Sequence, residues 1–412
     1  MAKLSVIVCV YNTNEKLFEE CLKSIESSSF KDIELVIVDD GSTVDYSKIL
    51  KKFKTAKYFK TENQGTLKAR LLGISKATSP YVCFVDSDDT VSKLYYEALM
   101  KNAEKTNADI IFGDWAFHTQ QTKYYCGNDS CIKTNFCHTN EGVLSSFFKQ
   151  KGKEHSYYVL WNKIFKKEVL SNAKKEIEKL NLGSLVFAED VLITYFAFKN
   201  ASKITNTHLG YYFYRIHDSQ EITVNSAAKL ENHIRSMANV FNLMEADLKL
   251  IGRFDEVEFF FNEWKKLLCR TGYSNAKQGG HKHLFPVLKE CYNISKLKKA
   301  KLSDSSAYTK QKILPNNMEE INAAIQKIYY SKKTLFVCVK KKSYAHNTLV
   351  KMQNALGTKF NITPSTIEAN IVMPEEIYSI KQKILHNDAV YLLGVILFPK
   401  GSKIRKKLKS KL

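Results

Sequence analysis

The chain has no cysteine pair: its nine cysteines, an odd number, are scattered with no two at CxxC spacing, which fits reduced thiols in a cytosol better than a disulfide framework. Cys126, Cys131, Cys137 and His138 crowd into one stretch, but not at zinc-finger spacing, so no metal is expected there. Long apolar runs are also missing. The longest late stretch, Ala389 to Phe398, is about half of the roughly 20 residues that a membrane helix needs. The run at Leu4 is short, follows only Lys3 and lacks a small-residue cleavage site, so no secretory leader is expected. Repeats and low-complexity segments are absent. The 412 residues, 44% of them hydrophobic, suffice for a large core and for two domains or one with a big appendage.

Acidic residues are in deficit: 42 Asp and Glu stand against 63 Lys and Arg, a formal charge of +21 that calls for an anionic partner. The excess gathers at Lys296, Lys298, Lys299 and Lys301 and again from Lys400 to Leu412, a tail with no acid in it. No stacking aromatics are interleaved with these clusters, so nucleic acid is not the expected partner. An anionic membrane surface is, at roughly 1 kcal/mol per basic residue near it. Ile404, Leu408 and Leu412 would give the tail one apolar helical face. A merely solvated tail is the alternative.

What is present is a series of apolar runs that end in polar clusters. Leu4 to Val10 ends at Tyr11-Asn12, Ile33 to Val38 at Asp39-Asp40-Gly41-Ser42, and Tyr81 to Val85 at Asp86-Ser87-Asp88-Asp89. Strands apolar on both faces belong to parallel sheets covered by helices. Leu17, Phe18, Cys21, Leu22 and Ile25 give the intervening helix an apolar face, with Asn14 as its cap. Helices over 45–54 and 65–77 and a short strand at Lys57 to Phe59 complete an alternating β and α pattern. The expected fold is a doubly wound, Rossmann-like, mostly parallel sheet whose ligands sit at the carboxyl ends of the strands. Side chains alternate along a strand, so Asp86 and Asp88 point the same way and form half of a hard-metal site. An Asp-rich turn starting the next helix is the other reading of the same residues.

The run LSVIVCVYN, then LVIVDDGS, then TENQGTLKARLLGISKA, then YVCFVDSDD, resembles the family 2 glycosyltransferases of the GT-A fold, bacterial capsule and lipopolysaccharide enzymes most closely. The resemblance covers roughly the first 220 residues. It implies a UDP-sugar donor, a divalent metal, Mn2+ or Mg2+, and inverting transfer of a hexose or N-acetylhexosamine to a glycan or lipid-linked saccharide. It places Tyr11, Asn12, Asp39, Asn63, Arg70, Asp86, Ser87 and Arg215 at the donor. Asp39 would read the uracil N3–H, Tyr11 would pack on the base or merely end its strand, and Asp86 would lie on the ribose side. Asp88, with Asp86 and His217, would hold the metal, while Asp40 holds the turn. Asp190 would be the general base with Glu189 beside it, although both acids also suit the dipole of the helix they open. Trp161 to Phe165 would line the acceptor side.

The resemblance fades beyond residue 220. The expected division is a catalytic domain, 1–222, and a mostly helical carboxyl-terminal domain, 223–412, that shapes the acceptor site, contacts the membrane or mediates self-association. Residues 226–270 have helical spacing, and Leu335 to Val339 suggest a strand or buried segment. Together these features imply a protein peripheral to the cytoplasmic face of a bacterial inner membrane. Two rivals are a non-catalytic assembly protein on the same scaffold, which would have no reason to keep Asp88 and Asp190, and a nucleotidyltransferase, which would show a Gly-rich basic signature after the first strand.

Overall fold

The computed structural model describes residues 2–119, 124–126, 135–151, 154–180, 182, 185, 187–216 and 226–292, with short strand segments at 312–313, 336–340, 361–362 and 366–370. In chain order the amino-terminal half holds β1 (Leu4–Val10), α1 (Glu15–Glu26), β2 (Ile33–Asp39), α2 (Ser47–Leu50), β3 (Lys57–Lys60), α3 (Thr66–Lys76), β4 (Tyr81–Asp86), β5 (Thr90–Val91), α4 (Tyr95–Thr106) and β6 (Ile110–Thr119). There follow β7 (Tyr124–Cys126), β8 (Cys137–Thr139), α5 (Glu141–Lys149), β9 (Lys163–Lys166), α6 (Lys167–Ile177), α7 (Glu189–Asn200) and β10 (Lys203–Ile216). Beyond them lie the helices α8 (Ala227–Leu250), α9 (Phe254–Gln278) and α10 (Phe285–Tyr292), then β11 (Lys312–Ile313).

One sheet runs β11-β7-β6-β9-β4-β1-β2-β3. Its β4-β1-β2-β3 portion is parallel, β9 is antiparallel to both β4 and β6, and β10 lies parallel to β6. Strand alternation divides the core. Ile7, Val36, Val38, Val82 and Phe84 face one helical layer, while Val6, Val8, Ile37, Cys83 and Val85 face the other. Helix α1 buries Phe18, Cys21, Leu22 and Ile25, and Asn14 caps it by accepting from the Lys16 and Leu17 amides at 3.0 and 3.4 Å. Both features match the expected helix and its cap.

The compact unit that contains this sheet extends to Met318, so α8, α9 and α10 belong to it and the chain divides at 318–319 rather than at 222–223. The reason is visible in the contacts. Trp264 of α9 packs against Phe147 and Phe148 of α5, Tyr158 and Phe241, and Asp247 of α8 accepts from Tyr195 Oη at 2.6 Å and Lys199 Nζ at 2.7 Å on α7. A second unit comprises 319–412 with a short piece at 133–135. Within it β12 (Phe336–Lys340), where a strand was expected, β13 (Asn361–Ile362) and β14 (Thr366–Asn370) form an antiparallel sheet ordered β12-β14-β13. His217 and the basic tail from Lys400 lie outside the described residues, as do Cys131 and Ala389 to Phe398. No helix among the described residues is long and apolar enough to cross a membrane.

At the edge opposite the strand carboxyl ends, the buried Glu34 ties four segments together. It accepts from Ser5 Oγ on β1, Lys57 Nζ on β3, and the Thr78 amide and hydroxyl before β4, both at 2.7 Å. Burial pushes its carboxyl up, but the hydrogen bonds of Lys57, Ser5 and Thr78 outweigh it and bring the pKa down to about 2. The stabilisation is therefore complete above the unfolded value near 4.5 and fades as pH falls toward 2. Glu34→Gln should lower stability by about 3 kcal/mol at pH 7 and by much less at pH 3, measured by urea unfolding. An equal loss at both pH values would contradict the assignment.

Candidate active site

Parallel pairing brings three polar strand ends together, since Val10 is opposite Asp39 and Cys9 opposite Asp86. Tyr11 projects from the end of β1 and is 53% exposed, so it is no core aromatic. Asn12 adopts a left-handed φ of 49°, and its Oδ1 accepts from the Thr43 amide at 2.8 Å and hydroxyl at 3.0 Å, holding the loop after β2. Asp40 accepts from the Gln64 and Gly65 amides, both at 2.9 Å, and so fixes the entry to α3. Gly41 between them has φ 80°, and a Cβ there would stand 2.5 Å from the Asn63 amide nitrogen. Asn63 is exposed at this rim, and Ser87 pairs its hydroxyl with that of Thr13 at 2.6 Å. Asp39 is fully buried: Oδ1 accepts from the Ser42 amide at 2.7 Å and Oδ2 from Tyr58 Oη at 2.5 Å, with Lys60 Nζ 3.6 Å away. Burial pushes this carboxyl up, yet the hydrogen bonds of Tyr58 and Ser42 and the charge of Lys60 leave it below its ordinary value.

Arg70 joins this region to the second acidic centre. Its guanidinium is buried and donates from Nη1 to Glu189 Oε1 at 2.7 Å and from Nη2 to Asp86 Oδ1 at 3.2 Å. Burial disfavours its charge, but Glu189, Asp86 and Asp190 more than compensate and hold it protonated. With Glu189 occupied by Arg70, Asp190 is the acid of the pair left to other work, its Oδ1 accepting from the Val191 amide at 2.8 Å. Burial, then the Glu189 charge, pushes Asp190 up to about 7, Arg70 opposing. Ala188, which precedes the pair, holds a left-handed φ of 69°, a conformation that costs a non-glycine residue about 1 kcal/mol or more. Helix α8 braces that turn: the Phe187 ring stacks on His233 at 4.1 Å, and Asn239 Nδ2 donates to the Leu182 carbonyl at 3.3 Å.

The Asp86 to Asp89 turn has a divided role. Asp89 is buried and accepts from Tyr212 Oη at 2.6 Å and the Arg215 amide at 2.7 Å, so it anchors β10. Arg215 turns inward, its Nε donating to the Asp88 carbonyl at 2.9 Å and its Nη2 pairing with Glu20 at 2.8 Å. It braces the backbone of the turn in this structure. Burial raises the Asp86 carboxyl, Arg70 lowers it, and Asp88 and Glu189 raise it further. A cation beside Asp86 and Asp88 would relieve that crowding. No group of three or more His, Cys, Asp or Glu able to hold a metal exists among the described residues. Two carboxylates suit an Mg2+ or Mn2+ that arrives with substrate phosphate oxygens and keeps its own waters, so the donor set fits a metal of that kind.

Sequence reasoning missed three side chains. Tyr58 on β3 bonds Asp39, and Tyr212 bonds both the Asp89 carboxylate and, as acceptor, the Asp86 amide at 3.1 Å. Lys163 is completely buried, donates to the Val159 carbonyl and to Asn162 Oδ1 at 2.6 Å, and lies 4.8 Å from the Phe112 ring. Burial pushes its ammonium well down, with the Asp190 charge opposing. The Trp161 to Phe165 element thus underlies the site, with Trp161 stacked on Tyr212 at 4.6 Å, instead of lining it. Only the oddity of a lysine inside an apolar run signalled this. Cys137 and His138 sit on β8, where His138 stacks on Phe136.

The acids thus gather at the carboxyl ends of parallel strands, where sheets of this kind bind their ligands. Residues 5–172 match the profile of Glycosyl transferase family 2. Curated relatives agree. Glycosyltransferase GlyA of Streptococcus pneumoniae is 30% identical over 52% of this chain and 30% of its own, and glycosyltransferase GlyG of the same organism is 32% identical over 32% and 46%. The cholesterol galactosyltransferase of Borreliella burgdorferi is 27% identical over 66% of this chain and 74% of its own. The chain thus spans less than half the length of GlyA and of GlyG. Among solved structures, Staphylococcus aureus TarS 1-349 in complex with UDP aligns over 90% of this chain and 97% of its own, with a TM-score of 0.43 and 18% identity.

The raised Asp190 has a consequence for stability. Between its ordinary value of 3.8 and about 7, the folded chain keeps a proton that the unfolded chain has lost, so this group makes stability fall as pH rises through that window. The melting temperature of Asp190→Asn should therefore exceed that of the parent by a margin that grows from pH 5 to pH 8. A margin that stays constant, or shrinks, would show that Asp190 is not held protonated.

Proposed function

We propose that the protein transfers a hexose or N-acetylhexosamine, with inversion, from a UDP-sugar to a growing bacterial surface glycan or lipid-linked saccharide. The observation that carries this reading is the Arg70 bridge between Asp86, on the donor side, and Glu189, which leaves Asp190 as a carboxyl titrating near neutrality. A base is most effective when its pKa is near working pH, because it is then both available and strong enough to take the acceptor hydroxyl's proton. On the donor side Asp39 would accept from uracil N3–H once its own partners give way, Tyr11 would cover the base, and Arg70 with Asp86 would hold the ribose and phosphate end. A divalent ion at Asp88 and Asp86 would neutralise the departing diphosphate. A hexosyl donor and a lipid-borne acceptor are supported by the kinship with a cholesterol galactosyltransferase.

Two variants separate the halves of this mechanism. Asp88→Ala should abolish metal-dependent UDP binding, and calorimetry showing UDP affinity unaffected by chelator and by this change would sink the metal assignment. Asp190→Asn should keep UDP affinity but lower turnover by about a hundredfold or more. Weakened UDP binding with turnover preserved at saturating donor would remove Asp190 as the base.

We also propose that the protein works at the cytoplasmic face of the inner membrane, held by the basic tail through charge and one apolar face. Deleting 400–412 should release it from anionic vesicles and leave transfer to a soluble acceptor analogue intact. Added salt should weaken the attachment of the full chain, since exposed charges are screened beyond about 8 Å at physiological ionic strength. Co-sedimentation indifferent to both salt and the deletion would reject the tail as the anchor.

A further inference from the structure

Asp39 is 0% exposed, so no atom of a ligand reaches its carboxylate as the residues now stand. Ser42 contributes a backbone amide that is part of the loop, whereas Tyr58 contributes a side-chain hydroxyl at 2.5 Å. Tyr58 is 36% exposed and sits on β3, a four-residue strand at the sheet edge with Tyr58 beside Ile37 and Lys60 beside Asp39. The phenol therefore has solvent to move into. Lys60 stays near Asp39 at 3.6 Å and is itself tied to the Ser42 carbonyl at 2.8 Å.

We propose that Tyr58 is a specificity-determining latch: its O–H occupies the Asp39 oxygen that the base would use, and a nucleotide engages Asp39 only by exchanging an N–H at the centre of its base edge for that O–H. This rests on the reading of Asp39 as the base-reading carboxylate. Uracil presents an N–H at the centre of its edge and can make the exchange. Cytosine presents a ring-nitrogen acceptor there, which would face the carboxylate lone pairs, so a cytidine nucleotide leaves the latch closed and binds by its phosphates alone. Opening the latch thus weakens only those ligands that use Asp39. A buried carboxylate left without its partner is costly, which is why the hydroxyl returns when the ligand leaves.

The test is calorimetric titration of UDP and CDP, each with Mn2+, into the full chain and into Tyr58→Phe, Tyr58→Leu and Asp39→Asn, after thermal melts confirm folding. Phe keeps the ring and loses only the competing donor; Leu repeats the loss should Phe fail to fold. Tyr58→Phe should tighten UDP by up to about tenfold, the worth of one hydrogen bond, and leave CDP unchanged, while Asp39→Asn should weaken UDP. UDP affinity that is unchanged or weaker in both Tyr58 variants, with Asp39→Asn still weakening UDP, would overturn the latch and leave the Asp39 reading standing. Equal tightening of UDP and CDP would likewise overturn it. Indifference of UDP binding to Asp39→Asn would overturn the base reading itself and the latch with it.

Discussion

The site depends on one buried guanidinium. Asp86 at the end of β4 and Glu189 at the start of α7 are both acids taken partly out of water, and Asp88 and Asp190 add negative charge beside them. Arg70 gives each a charge-assisted hydrogen bond, at 3.2 and 2.7 Å, and so offsets the crowding of these acids. Arginine suits this position because its planar fork reaches two partners at once and keeps its proton when buried. Removing one partner from a buried pair typically costs about 3–5 kcal/mol, because the remaining charges stay desolvated and unpaired.

Much of the surrounding structure holds that fork in place. Asp40 receives the amides of Gln64 and Gly65 at the entry to α3, and Gly73, one turn beyond Arg70, lets the helix lie against β1, where a Cβ would come within 2.5 Å of Ile7. At the second acidic centre, Ala188 takes a left-handed φ just before Glu189 and Asp190 open α7. Helix α8 supports that conformation from behind through His233, Asn239 and Asp247. The acidic site therefore relies on helices that lie beyond the part of the chain matched by the family profile.

Local patterns made the sheet and the donor-side acids legible. Apolar runs with polar ends placed Tyr11, Asp39 and Asp86 correctly at adjacent strand termini, and helical spacing picked out the buried face of α1. What stayed hidden was long-range pairing. Nothing near Arg215 in sequence announces that it turns back to Glu20 and the Asp88 carbonyl, nor does anything near Asp39 announce the Tyr58 hydroxyl. In sequence Lys163 reads only as part of an element lining the acceptor side, whereas here two carbonyl groups and the Phe112 ring receive its buried ammonium. The compact unit runs on to 318 because the packing of α8 and α9 on α5 and α7 continues the same core.

The most direct measurement is a double-mutant cycle between Arg70 and Glu189, read by chemical denaturation at pH 8. Arg70→Met should be strongly destabilising, Glu189→Gln mildly so, and the double variant should recover about 1 kcal/mol or more relative to the sum of the two, because the stranded charge is gone. UDP affinity should fall in Arg70→Met. Additive losses in stability, together with unchanged UDP affinity in Arg70→Met, would contradict the account that this guanidinium joins the two halves of the site.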